Sequence, residues 1–129
     1  MKPYGYISAC CTNINVKFSG DAFKYKGSMS GIYYMQPGFT NGERYWISTE
    51  GNAIWIKHTG NKWYIGDSEN LGTTAALYVP IKDPSKECPH GDLQSNWRYY
   101  TGNEFLEDVS NSVRIHCLKG KHNTLILKQ

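Results

Sequence analysis

The sequence lacks several features that would assign it to a function class. Its 129 residues carry a net charge of only +3, from 14 basic and 11 acidic side chains that are interspersed. We therefore expect neither nucleic acid nor an anionic membrane as a partner. No apolar run is long enough to span a bilayer, so membrane insertion is not expected. The start, from Met1 to Cys11, lacks the apolar region of a signal peptide. We therefore expect a cytosolic chain or a mature or excised part of a longer protein.

Motifs for catalysis and for metal binding are also missing. The four histidines follow no zinc-ligand spacing, and nucleophile-elbow, P-loop and Rossmann glycine patterns are absent. Asp67, Glu69 and Asn70 are interpreted as turn residues, because an EF-hand spacing is missing. His90 is interpreted as a loop residue. We predict no enzyme activity, no cofactor and no metal, with a small hydrolase that uses His58, Asp67 and Glu69 as the alternative.

No segment carries apolar residues at helical spacing over three turns, so we predict no helix. Ten Tyr, four Trp and 13 Gly instead favour β structure. RYWIS, AIWIKH and KWYIGD are short strands separated by the turns TEGN and HTGN, which predicts a β-meander. Further strands are predicted in NINVKF, GIYYMQ, TAALYVPI, WRYY, EFLED and SVRIHCL.

The predicted fold is all-β: an antiparallel meander that forms a small sandwich or open barrel. A chain of this length builds one hydrophobic core, so we predict a single domain over residues 1–129. Residues 118–129 form a tail or an added edge strand.

The four cysteines are the most specific signal. An even number without a zinc spacing is typical of disulfides in an oxidising compartment. A bond between the adjacent Cys10 and Cys11 would strain the peptide between them, so one should pair with Cys88 and the other with Cys117. Strand alternation points the two to opposite faces and leaves both assignments open. Two such bonds would staple the first strand to the rest of the domain.

The aromatic residues suggest a binding surface. In the meander Ile54 and Ile56 point to one face and Trp55 to the other, so either both faces are packed or one presents aromatics to a ligand. Packing is the commoner role of such residues. Tyrosine and tryptophan also dominate protein interfaces, and their rings can stack on sugars. The candidate contact residues are Tyr34, Arg44, Trp55 and Tyr99.

Several motifs occur in an order that resembles a known domain. They are CCTNINVKFSG, GSMSGIYYMQPGFTNGERYW, WIKHTGNKWYIGD, ECP and NWRYYTGNEFLEDVSNSVRIHC. Together they resemble a small cysteine-bounded domain of secreted and receptor-type proteins of marine invertebrates, over Cys10 to Cys117. Glu43 and Arg44 depart from the usual Arg-Pro after Asn-Gly, and Phe105 stands where a tryptophan is common.

The resemblance implies a secreted or extracellular part of a larger protein, in which the domain serves recognition or adhesion without catalysis. It also implies the pairing Cys11–Cys117, which leaves Cys10–Cys88. The expected ligand is a protein or a glycan, as for a lectin-like module. A structural module of a matrix protein is the second alternative. Neither the ligand nor the oligomeric state follows from the sequence.

Overall fold

The fold is described by a computed structural model over residues 10–56, 61–72, 75–82, 88–91 and 95–118. In these ranges nine antiparallel strands form one sheet, which curls into a half-barrel. The strands are β1 (Asn13–Phe18), β2 (Gly31–Met35), β3 (Trp46–Ser48), β4 (Asn52–Ile56), β5 (Lys62–Asp67), β6 (Leu77–Pro80), β7 (Arg98–Tyr100), β8 (Phe105–Glu107) and β9 (Val113–Cys117). The predicted antiparallel all-β fold is confirmed, in the form of an open barrel.

The order of the strands explains the curl of the sheet. It runs β8-β7-β6-β5-β4-β3-β2-β1-β9, so eight strands form a meander and β9 returns beside β1. The two edge strands, β8 and β9, are joined by the short segment 108–112. Across the described residues no ladder joins β8 to β9. The sheet therefore bends round until its edges approach each other, and a seam remains between them.

Strand alternation decides which side chains fill the curled sheet. The core contains Ile14, Val16, Tyr33, Met35, Trp46, Ile54, Ile56, Trp63, Ile65, Leu77, Val79, Tyr99 and Val113. Trp46 and Trp63 meet edge to face, with ring centroids 5.7 Å apart. The Trp46 indole N–H donates to the carbonyl of Cys11 at 3.0 Å. The centre of the core is thus tied directly to the cysteine pair.

A short helix corrects the prediction that the chain has none. Helix α1 (Gly20–Lys26) has seven residues, which is about two turns and too short to show an apolar stripe over three turns. Its Ala22 is buried, and the Tyr25 ring stacks on the Tyr99 ring of β7 at 6.2 Å. Helices this short are marginal in water, so packing against the sheet stabilises α1.

Two predicted turns can be compared with the structure. Gly51 in TEGN and Gly102 in the β7–β8 hairpin have φ of 89° and 105°, a conformation that glycine adopts without steric cost. Both turns are confirmed. Most of the HTGN turn, and the tail beyond residue 118, lie outside the described residues.

Tyr33 makes the protein less stable at alkaline pH. Its hydroxyl donates to the carbonyl of Met29 at 2.5 Å. Burial, together with the negative charge of Glu50, raises the pKa of Tyr33 far above its ordinary value. The folded state therefore holds this proton more tightly than the unfolded chain does. The contribution of Tyr33 to stability is complete below about pH 10 and is lost as the pH rises from there towards the folded-state pKa.

We expect the free energy of unfolding to fall as the pH rises above about 10, and to fall less steeply in Tyr33→Phe. Urea unfolding at a series of pH values measures this. Burial also raises the pKa of Tyr99, assisted by the charges of Asp21 and Asp108, so part of the fall should remain. Tyr34→Phe, which alters a half-buried ring on the other face of β2, is the control. Identical pH profiles for Tyr33→Phe and the parent protein would show that Tyr33 does not cause this loss of stability.

Candidate functional site

The outward face of β5 to β8 carries a cluster of aromatic rings, here called the aromatic patch: Tyr64, Tyr78, Tyr100 and Phe105. Strand register assembles it, because Tyr64 is opposite Tyr78 and Tyr100 is opposite Phe105. Ring centroids are 6.5 Å apart for Tyr64–Tyr78, 5.0 Å for Tyr78–Phe105 and 5.1 Å for Tyr100–Phe105. Tyr100 is 36% exposed and Phe105 41% exposed. The rings form a contiguous apolar surface that is partly open to solvent.

Basic side chains flank the aromatic patch. The Lys62 ammonium and the Arg98 guanidinium lie 5.7 and 5.9 Å from the centroid of the Tyr78 ring. The Lys26 ammonium lies 5.8 Å from the centroid of the Tyr100 ring. These distances allow cation–π attraction, which is worth about 0.5–1 kcal/mol at exposed sites. The surface thus combines flat rings with hydrogen-bond donors at its border.

An acidic group limits the positive charge of this surface. Arg98 and Glu107 form an ion pair at 3.8 Å between partly exposed side chains, which contributes about 0–1 kcal/mol. The side-chain amide of Asn96 donates to the other Glu107 oxygen at 2.9 Å. Glu107 therefore holds both neighbours in place beside the rings.

Two of the four predicted contact residues are buried. Trp55 is 0% exposed, and its ring packs edge to face against Tyr64 at 5.7 Å. The loop between β2 and β3 reaches this strand, since the Asn41 amide donates to the Ile56 carbonyl. Tyr99 lies on the inward face, stacked on Tyr25. The expectation that Trp55 and Tyr99 are exposed is wrong for two different reasons. Tyr99 lies on the inward face, whereas Trp55 lies on the outward face beside Tyr64 but is buried there.

The other two predicted contact residues lie apart from the aromatic patch. Tyr34 is half-buried on the outward face of β2, opposite Ile47. Arg44 donates to the carbonyls of Gln36 and Pro37 at 3.3 and 2.7 Å, and its guanidinium lies 4.7 Å from the centroid of the Phe39 ring. These contacts give Arg44 a role in shaping its own loop. Ligand binding by Tyr34 and Arg44 stays a prediction.

The predicted contact residues did not include Tyr64, Tyr78, Tyr100 or Phe105. The hairpin WRYYTGNEF contains a usable signal, because its turn residues fix the pairing of Tyr100 with Phe105. Alternation also places Tyr99 and Tyr100 on opposite faces. The sequence therefore predicts that only one of these two tyrosines is outward, but it does not say which one.

The disulfides match the pairing that the resemblance implied. Cys10 is bonded to Cys88 and Cys11 to Cys117, with Cα atoms 5.6 and 5.7 Å apart. His90 lies beside the first bond, and its Nε2 accepts the backbone N–H of Cys11 at 3.0 Å. The two bonds indicate an oxidising, extracellular-type environment.

Two polar clusters among the described residues have structural roles. Cys10, Cys88 and His90 are close enough to hold a metal ion, but the two sulfur atoms are joined in a disulfide. Asp67 accepts the backbone N–H of Glu69 at 3.0 Å and caps a 3₁₀ turn, as turn residues do. His58, the third member of the hydrolase alternative, lies outside the described residues.

A cleft of about 500 Å³ lies at the seam of the half-barrel and is here called the seam cleft. Its described lining comes from β9, from segments 89–91 and 95–97, and from Asp108 and Asn111. The buried carboxylate of Asp108 accepts from Ser112 N–H at 2.9 Å, from Ser112 Oγ–H at 2.6 Å and from Val113 N–H at 2.8 Å. Asp108 thereby fixes the segment that joins β8 to β9.

Comparison with known proteins gives no relative: no family model, no curated protein and no solved structure matches this chain. The helices in the described ranges are too short and too polar to cross a bilayer.

Proposed function

We propose that this chain is a non-enzymatic recognition or adhesion module that binds a protein or a glycan through the aromatic patch. The observation that carries the proposal is the contact between Tyr78, Phe105 and Tyr100 on an outward sheet face. Large apolar rings gathered at a surface cost free energy in water unless another molecule covers them.

The composition of the aromatic patch suits both ligand classes. Sugar rings present apolar faces that stack on aromatic side chains and hydroxyl groups that accept from donors such as Lys62 and Arg98. Tyrosine and arginine are also among the residues that contribute most to protein interfaces. The recognition surface is thus a group of rings with a polar border, and it needs no catalytic group.

We further propose that the module is secreted or is the extracellular part of a larger protein. The two disulfides support this location, because reducing compartments keep thiols reduced. The resemblance to cysteine-bounded domains of secreted and receptor-type invertebrate proteins agrees with it.

Substitution within the aromatic patch tests the function. The probes are an immobilised glycan array and the extracellular fluid proteins that the parent chain captures. Tyr100→Ala and Phe105→Ala should each weaken binding about thirtyfold or more, since truncation of a central contact residue costs about 2 kcal/mol or more. Phe23→Ala is the matched control, because Phe23 is an aromatic that is 58% exposed on α1.

The alternatives predict other outcomes. If the chain is a structural module, neither probe binds specifically and the patch variants match the parent. If binding occurs but Phe23→Ala weakens it as much as Phe105→Ala does, the ligand lies elsewhere. Either result would overturn the assignment of the aromatic patch.

A further inference from the structure

The edge strand β9 leaves a row of backbone groups without partners among the described residues. Ser19 N–H donates to Ser112 O at 2.9 Å, which continues the β1–β9 register one residue beyond the strands. Hydrogen-bonded positions alternate in an antiparallel pair, so the N–H and C=O of Ile115 and the C=O of Val113 point away from β1. The N–H of Val113 also points outward, and Asp108 accepts it.

The residues that carry these outward groups line the seam cleft. Val113 and Ile115 belong to its lining, together with Asn96 and Trp97. The open edge of the sheet is therefore part of a concave site and does not simply border bulk solvent. A site of this kind can enclose a ligand that pairs with the backbone.

The charge of the described cleft lining favours an acidic ligand. Arg114 and His116 of β9 contribute a guanidinium and an imidazole, whereas the Nε2 of His90 is already engaged by the Cys11 N–H. The one carboxylate in that lining is Asp108, and both of its oxygens accept hydrogen bonds, one from Ser112 and the other from Val113. An acidic group that enters the cleft thus meets basic side chains without facing an exposed carboxylate of the described lining.

We propose that the seam cleft binds an extended, acidic peptide segment of a partner protein, which pairs with β9 as an added strand. Backbone donors and acceptors that face one side of a strand repeat about every 6.6–6.8 Å, and a second strand offers the same repeat. Alternate acidic side chains of the peptide lie on the outward face, beside Arg114 and His116. Strand addition is an established mode of peptide recognition.

The backbone edge distinguishes this ligand from a simple anion. A sulfate or a carboxylate on a glycan pairs with Arg114 but leaves the N–H and C=O of Ile115 unmatched. A peptide satisfies both. The inference concerns a different surface from the aromatic patch and does not rest on the proposed function.

Peptide probes test strand pairing directly. The parent probe is a fluorescein-labelled hexapeptide of alternating glutamate and valine, and fluorescence anisotropy measures its affinity. A counterpart with lysine in place of glutamate should bind at least about tenfold more weakly. Two further counterparts carry N-methyl groups on one or the other alternate set of residues. Because only one set directs its N–H groups to β9, one of these should lose binding and the other should keep it.

Variants of the protein locate the site. Ile115→Pro removes the outward N–H from an edge strand, where proline is tolerated, and should weaken binding about tenfold, whereas Ile115→Val should not. Arg114→Glu should weaken binding to a similar degree. Lys17→Glu is its matched control, because Lys17 lies directly opposite Arg114 on β1 and does not line the cleft.

Three results would overturn the inference. One is no binding of the acidic hexapeptide up to millimolar concentration. Another is equal binding of both N-methylated peptides, and competition by an acidic polysaccharide would then assign the cleft to anions. The third is equal loss from Lys17→Glu and Arg114→Glu. Tyr100→Ala should leave peptide binding unchanged, so failure of the aromatic-patch proposal is measured separately.

Discussion

Removal of either disulfide should lower the free energy of unfolding by about 3–4 kcal/mol. The expectation is nearly equal for Cys10→Ala with Cys88→Ala and for Cys11→Ala with Cys117→Ala, although the bonds span 78 and 106 residues. Cys10 and Cys11 are adjacent in the chain. When one bond is already present, formation of the other therefore closes the same loop, which runs from Cys88 to Cys117. That loop has about 30 residues, which sets the entropy that the second bond removes from the unfolded chain.

Removal of both disulfides should unfold the protein at room temperature. The first bond closes a loop of about 80–100 residues and removes a further 4–5 kcal/mol, so the combined loss of about 8 kcal/mol matches the stability of many small domains. Urea unfolding followed by tryptophan fluorescence measures each variant. If either pair variant loses less than about 1 kcal/mol of unfolding free energy, the disulfides do not stabilise the fold as argued. Free thiols in the fresh native protein would contradict the two bonds themselves, since the native mass should be four hydrogens below the reduced mass.

Asp108→Ala is expected to cost about 3–5 kcal/mol of unfolding free energy, because it leaves buried donors unpaired. The carboxylate accepts the backbone N–H groups of Ser112 and Val113 and the Ser112 hydroxyl. Its own N–H donates to the Trp97 carbonyl at 2.8 Å. Asp108 therefore holds the segment through which the last strand returns to β1.

Two substitutions serve as controls for Asp108→Ala. Glu107→Ala removes the adjacent carboxylate, which is exposed and pairs with Arg98, and should cost less than about 1 kcal/mol. Asp108→Asn keeps one accepting oxygen and should fall between the two. Chemical unfolding measures all three. If Asp108→Ala and Glu107→Ala prove equally mild, the buried carboxylate does not stabilise the seam.

The strands could be predicted because their signals are local. Alternation in NINVKF and SVRIHC, and turn residues such as Gly51 and Gly102, depend on neighbours within a few positions. Helix α1 was missed for the opposite reason. Its seven residues are too few for a periodic pattern, and the contact that stabilises it, Tyr25 on Tyr99, joins residues 74 positions apart.

The contact residues were harder to predict than the strands, as Trp55 and Tyr100 demonstrate. Alternation along a strand places Trp55 and Ile54 on different faces of the sheet, and likewise Tyr100 and Tyr99. It does not say which face is the outer one. The assignment depends on which way the sheet curls. An outward residue can also be buried: Trp55 is 0% exposed, and Asn41 of the loop between β2 and β3 donates to the carbonyl of its neighbour Ile56.

By itself the sequence determined an antiparallel meander of short strands and a chain with two disulfides, because alternation, turn chemistry and cysteine number act over short distances or by composition. The tertiary structure alone decided that the aromatic rings of β5, β6, β7 and β8 meet on the outside. It also decided that β9 returns beside β1, and that an open edge with basic neighbours remains at the seam. These features arise when strands distant in sequence pair and the whole sheet bends, and no local pattern encodes the direction of that bend.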